Sequence, residues 1–175
     1  MKTSGHLWAI GYADMKRAAE VRDEIVKLGW DKRDLILEDV AVVVRHPDGS
    51  FAVDRKPVPT AANMVGFTLV GILAGLVLGE PMVGAVVGTA LGLGGAAVSA
   101  AVGIGEDFVR EVEGLMKPGT SVLFVLDSEG DMDVILHGIR GLGGTVLKTN
   151  VDVERARLIQ STLAATPQTE KGNRE

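Results

Sequence analysis

Residues 57–105 read PVPTAANMVGFTLVGILAGLVLGEPMVGAVVGTALGLGGAAVSAAVGIG, and only one charged side chain, Glu80, stands in that stretch. Glu80 lies in a Gly79-Glu80-Pro81 turn that divides the stretch into two apolar arms. Glycine recurs along both arms at every fourth or fifth position, as Gly66, Gly71, Gly75 and Gly79 and then as Gly84, Gly88 and Gly92. An apolar segment of about 18 residues or more can cross a bilayer as a helix. Small residues four apart let two helix backbones meet along a seam. The stretch therefore predicts a close-packed helical hairpin, inserted in a membrane or buried in an assembly. The seven glycines would form its packing and self-association seam, with the hairpin turn at Glu80 and Pro81.

The two flanks differ in kind. They hold all the remaining charges of a 175-residue chain whose net charge is −5 and whose hydrophobic content is 46%. The acidic balance and the absence of a dense Lys/Arg run argue against nucleic acid as a partner. Without cysteine there is no disulfide framework, thiolate nucleophile or cysteine metal site, which suits a reducing compartment. The opening MKTSGHLW lacks the apolar core of a secretory signal, so the first part of the chain is expected in the cytoplasm.

Residues 6–13 (HLWAIGYA) read as a buried strand running into Asp14, which can cap a helix over MKRAAEVRDEIVKL. In that helix Met15, Ala18, Val21 (or Arg22), Ile25 and Leu28 recur at helical spacing, and Gly29 offers a C-cap. Two β-forming runs, 36–45 and 50–55, flank His46-Pro47-Asp48-Gly49, a strong hairpin signal. After the apolar stretch, 106–116 reads as a helix closed by Lys117-Pro118-Gly119, and 121–126 (SVLFVL) as a buried strand. A short helix capped by Asp131 or Asp133 follows, broken by Gly141-Leu142-Gly143-Gly144. Residues 145–150 form the last strand, Asp152 caps a helix over 153–165, and the polar tail 166–175 is expected to be disordered.

With the insertion set aside, strands that follow helices call for crossovers. The expected fold is an α/β (α+β) ferredoxin-like sandwich with a mixed sheet. Its domain comprises residues 1–56 and 106–165, with 57–105 inserted as the Gly-rich helical hairpin.

The first arm, residues 60–79, would be about 30 Å long as a helix, matching a hydrocarbon core of about 30 Å. Two spans would leave only Glu80 on the far side and place Arg55 and Lys56 at the cytoplasmic entry, as the positive-inside tendency prefers. Against this, the arms lack Trp and Tyr at their ends. They also hold eleven of the chain's 23 glycines, each costing about 1 kcal/mol relative to alanine in a helix in water. Such a hairpin needs lipid or copies of itself. Glu80 reads as a solvated turn residue; a carboxylate ring at a pore mouth would need a polar lumen that Thr68, Thr89 and Ser99 scarcely supply.

The search for chemistry yields no catalytic, cofactor-binding or metal-binding residues. His6, His46 and His137 fall on a strand start, a turn and a helix, with no metal-ligand spacing. Residues 91–95 (LGLGG) fail the dinucleotide pattern because Ala97 stands where its last glycine belongs. Gly141 to Gly144 end a helix rather than start one. The acidic loop 127–133 lacks the glycine and glutamate of a calcium loop, with Met132 and Gly138 in their places. Asp14, Asp34, Glu38 and Asp39 form no evident acid/base pair.

Several of these stretches together carry a family resemblance: LWAIGYAD, RAAEVRDEI, DVAVVVRHPDGSFAV, GFTLVGILAGLVLG, GEDFVREVEGLMKPGTSVLFVL and GGTVLKTNVD. Over residues 6–165 the chain resembles a bacterial family of predicted membrane proteins, domain of unknown function 1269. The resemblance implies an α/β domain with a glycine-zipper hairpin and a membrane-associated or stress-related role, and it supplies no catalytic residues.

The expected function is that of a non-enzymatic, membrane-associated oligomer at the inner membrane, its α/β domain in the cytoplasm. Its partners would be membrane lipid and further copies of the chain. One alternative is a soluble cytoplasmic homo-oligomeric scaffold or shell with the hairpins inside. Another is a tethered regulatory domain that binds a small ligand on its sheet face.

Overall fold

The computed structural model describes residues 6–31, 37–55, 106–127 and 132–166. The glycine-punctuated arms, Glu80, Pro81, LGLGG and nearly all of the polar tail lie outside these residues.

The described chain runs β1 (His6–Tyr12), α1 (Arg17–Asp31), β2 (Leu37–Arg45), β3 (Phe51–Arg55), α2 (Glu106–Leu115), β4 (Thr120–Asp127), α3 (Met132–Ile139), β5 (Thr145–Thr149) and α4 (Val153–Leu163). It is an α/β fold around a five-stranded sheet of order β3-β2-β4-β1-β5. The expected mixed sheet is corrected by this order, because every neighbouring pair is antiparallel. The crossover through α1 does return the chain in its first direction. The returning strand β2 stops one position away, however, and β4 enters between β1 and β2. In the same way β1 separates β4 from β5, so parallel strands are never adjacent.

Local sequence explains most of the elements. The Asp14 carboxylate accepts from the backbone N–H groups of Lys16 and Arg17, both at 2.8 Å. Those bonds, Lys16 before Arg17, hold its pKa below the usual value. Asp14 thus caps α1 as expected, but regular helix starts only at Arg17 and leaves Met15 outside it, exposed. Gly29 does not end α1, which continues to Asp31; one glycine costs a helix only about 1 kcal/mol. Asp133 lies inside α3 rather than at its cap, and Asp131 is outside the described residues. In the β2–β3 turn Gly49 adopts φ +89°, and Asp48 accepts from the hydroxyl and N–H of Ser50. At α4, Asp152 accepts from Arg155 N–H at 2.8 Å, the predicted cap.

Period-2 alternation sends side chains to two separate cores. On one face Leu7, Ala9, Ala41, Val43, Val122, Phe124 and Leu126 pack under Phe108, Val112 and Met116 from α2 and its end. On the other, Trp8, Ile10, Tyr12, Val40, Val42, Leu123 and Val125 meet Ala18, Val21 and Ile25 of α1, Ile139 of α3, and Ile159 and Leu163 of α4. Among the described residues the domain therefore has three layers, one helix on one face and three on the other. No helix among the described residues is long and apolar enough to cross a membrane.

Candidate functional site

The region that joins residues 57–105 to the domain is formed by β3, the end of β2 and α2. Arg45 ends β2 and faces the α2 side of the sheet with Val43. Its guanidinium donates through Nη1 to the Met116 carbonyl at 2.6 Å and lies over the Phe51 ring, 5.2 Å from its centroid. A cation at the carbonyl end of α2 also complements the helix dipole. Gly119 N–H donates to the Arg45 carbonyl at 2.8 Å, fixing the chain as it leaves α2 for β4.

The other anchor of α2 comes from β5. The β1–β5 register shifts between Ala9 and Ile10, leaving Leu147 as an extra residue on β5. This bulge turns Leu147 and Lys148 toward the same face. Leu147 covers Gly11, where a Cβ would come within 2.9 Å of its Cδ1. Lys148 pairs with Glu111 of α2 and lies 5.5 Å from the Phe108 centroid. α2 thus covers this face of the sheet.

On the opposite face α1 is latched to the edge strand. Arg22 is buried and donates through Nη1 to Asp54 of β3 at 2.7 Å and through Nε to Asp23 at 3.0 Å. Burial works against the cation, but the hydrogen bonds and charges of Asp54 and Asp23 outweigh it and raise its pKa. Helical spacing admits either Val21 or Arg22 to the apolar stripe, and the fold buries both. Asp54 precedes Arg55, the last residue of β3, so the latch fixes β3 where the chain departs for the insertion.

α2 crosses the sheet from β5, where Glu111 and Phe108 meet Lys148, to the end of β2. Its last turn is held near Arg45, which is paired with Phe51 at the start of β3.

The other sequence candidates are not brought together. His6 lies 3.3 Å from Arg155, His46 sits in the β2–β3 turn, and His137 is exposed on α3. Among the described residues no cluster of His, Cys, Asp or Glu could hold a metal ion. The glycine loop after α3 has φ values of +74°, +74° and +98° at Gly141, Gly143 and Gly144. Three of its four N–H groups are already committed: Gly141 donates to Thr162 O, Leu142 to Ile139 O and Gly143 to Leu163 O. The loop thus closes the end of α4 rather than cradling a phosphate. Arg17 ties it to α1 by donating to the Leu142 carbonyl at 3.1 Å. Beneath the loop, Tyr12 is buried with its hydroxyl unpartnered among the described residues, and burial pushes its pKa far above the ordinary value. Nothing in the local sequence announces that orphan hydroxyl, because strand alternation fixes only which face Tyr12 takes.

The family described as Protein of unknown function (DUF1269) matches residues 64–164, more than half of the chain. The chain belongs to this family. The matched span takes in most of the apolar stretch together with α2, β4, α3, β5 and α4, and leaves β1, α1, β2 and β3 outside it. No curated protein and no solved structure matches the chain.

Proposed function

We propose that this protein is a non-enzymatic, membrane-associated, self-associating protein whose α/β domain is carried on residues 57–105. One observation carries the reading: among the described residues, α1, α3 and α4 cover one face of the sheet and α2 covers the other. A stretch with Glu80 as its only charge has a large apolar surface to bury, and lipid or other copies of the chain can receive it. Gly66, Gly71, Gly75, Gly79, Gly84, Gly88 and Gly92 form the packing seam, Glu80 and Pro81 the turn, and the domain stays on the cytoplasmic side of the inner membrane.

The test is fractionation of the full-length chain, expressed without detergent, by high-speed sedimentation with a carbonate wash. Carbonate-resistant pelleting that detergent releases supports the reading. Recovery as a discrete soluble multimer overturns the membrane part and makes the arms an assembly core. Unchanged assembly after Gly71, Gly75, Gly84 and Gly88 are replaced by leucine overturns the seam.

A further inference from the structure

The two edges of the sheet are finished differently. At β5, the Gln160 side chain of α4 accepts from Val146 N–H at 2.7 Å and donates to the Gly144 carbonyl at 3.1 Å. One amide thereby takes the place that a neighbouring strand would fill. At β3 no such group exists among the described residues. His46 N–H donates to Ser50 O, and hydrogen-bonded pairs alternate from there along the antiparallel ladder. Ala52 and Asp54 bond inward to Val44 and Val42, while Phe51 and Val53 direct their N–H and C=O groups outward. An edge of this kind is a template for another strand.

We infer that the outer edge of β3 pairs with β3 of a second copy of this chain. The strands run antiparallel with Val53 on the two-fold axis, so that two sheets become one. Charge favours this register. Asp54 of each copy lies opposite Ala52 of the other, and Phe51 lies opposite Arg55, so no like charges are opposed. A register centred on Asp54 would set two carboxylates against each other. Asp54 is moreover held by Arg22 of its own chain, so the edge comes to its copy with that charge already paired.

Symmetry favours it as well. A two-fold axis perpendicular to the sheet keeps equivalent faces on the same side. Both α2 helices then lie on one side of the joined sheet, and both copies of residues 57–105 attach there. One bilayer, or one cluster of apolar arms, can receive the pair. The chain just beyond β3 is a poor occupant of its own edge, because Pro57 and Pro59 have no N–H to give to a ladder. The pairing does not depend on insertion in lipid.

The test uses the full-length chain, which has no cysteine of its own. A cysteine at the axis, Val53→Cys, should oxidise to a covalent dimer, since hydrogen-bonded partners sit about 5.5 Å apart at Cα, within disulfide reach. Phe51→Cys should not, because its equivalent lies far along the opposite strand. Val53→Pro removes an outward N–H and spares every bond of β3 to β2. It should therefore weaken dimerisation at least tenfold in a sedimentation titration while melting as the unaltered chain does. A monomeric chain, or a multimer in which Val53→Cys cross-links no better than Phe51→Cys, overturns the proposal. The second result would mean that the apolar arms alone hold the copies together, or that another strand owns the edge.

Discussion

The two faces of the sheet are closed in unlike ways. On one, α1, α3 and α4 brace each other through the Gly141–Gly144 loop and the Arg17 bond to Leu142. On the other, α2 is the one helix among the described residues, seated by Phe108, Val112 and Met116 and fastened by Arg45 and Lys148. Nothing among the described residues ties α2 to the helices of the opposite face, so it can leave without dismantling them. α2 is also the first described element after the apolar stretch, so the fold places its most separable layer where the insertion rejoins the domain.

The largest effect expected is from an acid at the centre of each face. Val112 and Val21 are both fully buried, and an aspartate at either costs on the order of 4 kcal/mol. Val112→Asp should release α2 alone, with its amides losing hydrogen-exchange protection while those of α1 keep theirs. Val21→Asp should unfold the whole domain. Parallel loss in α1 and α2 in both variants would show that the faces are one cooperative unit.

Next comes the closure of the three-helix face. A Cβ on Gly144 would lie 2.8 Å from Ile10 Cγ2 and Tyr12 Cε1, at φ +98°. Gly144→Ala combines backbone strain with overpacking and should cost about 3 kcal/mol in denaturant unfolding. At Gly143 the strain stands alone, since no atom lies within 4 Å of its Cβ position, and Gly143→Ala should cost about 1–2 kcal/mol. Equal costs would mean that the loop does not press on Tyr12.

These contrasts also mark how far the sequence could be read. The hairpin, both Asp caps and the buried strands were legible because each depends on neighbours a few residues apart. The insertion of β4 between β1 and β2 was not, since pairing His6 with Asp127 rests on no local pattern. Nor was the placing of α2 on its own face, as Phe108, Val112 and Met116 show helical periodicity whichever side they seal. The edge is intermediate: its length could be read, while the capping of β5 by Gln160 appears only once α4 is docked.

A smaller effect tests the latch between α1 and β3. Asp54 and Asp23 are about half exposed and can rehydrate, whereas the Arg22 side chain is buried. Asp54→Ala leaves the buried guanidinium with Asp23 alone and should cost about 1–2 kcal/mol. Arg22→Met leaves only hydrated carboxylates and should cost less. Thermal unfolding of the two variants reads the order, and the reverse order would place the strain on the carboxylate side.

The smallest effect should be a gain. The Tyr12 hydroxyl is buried with no hydrogen-bond partner among the described residues, so Tyr12→Phe removes a desolvated polar group and keeps the ring against Ile10 and Gly144. Stabilisation of about 1 kcal/mol is expected. The pH dependence follows from the same burial. Because the folded-state pKa is raised above the ordinary value of 10.0, the unfolded chain gives up this proton first as pH rises. The folded state retains full stability from this group below about pH 10 and loses it progressively above. In Tyr12→Phe that alkaline decline should be shallower, while α2-face variants such as Val112→Asp should leave its slope unchanged. A decline of equal slope in the unaltered chain and Tyr12→Phe would show that the phenol is hydrated in solution and that the three-helix face is less tightly closed than its contacts indicate.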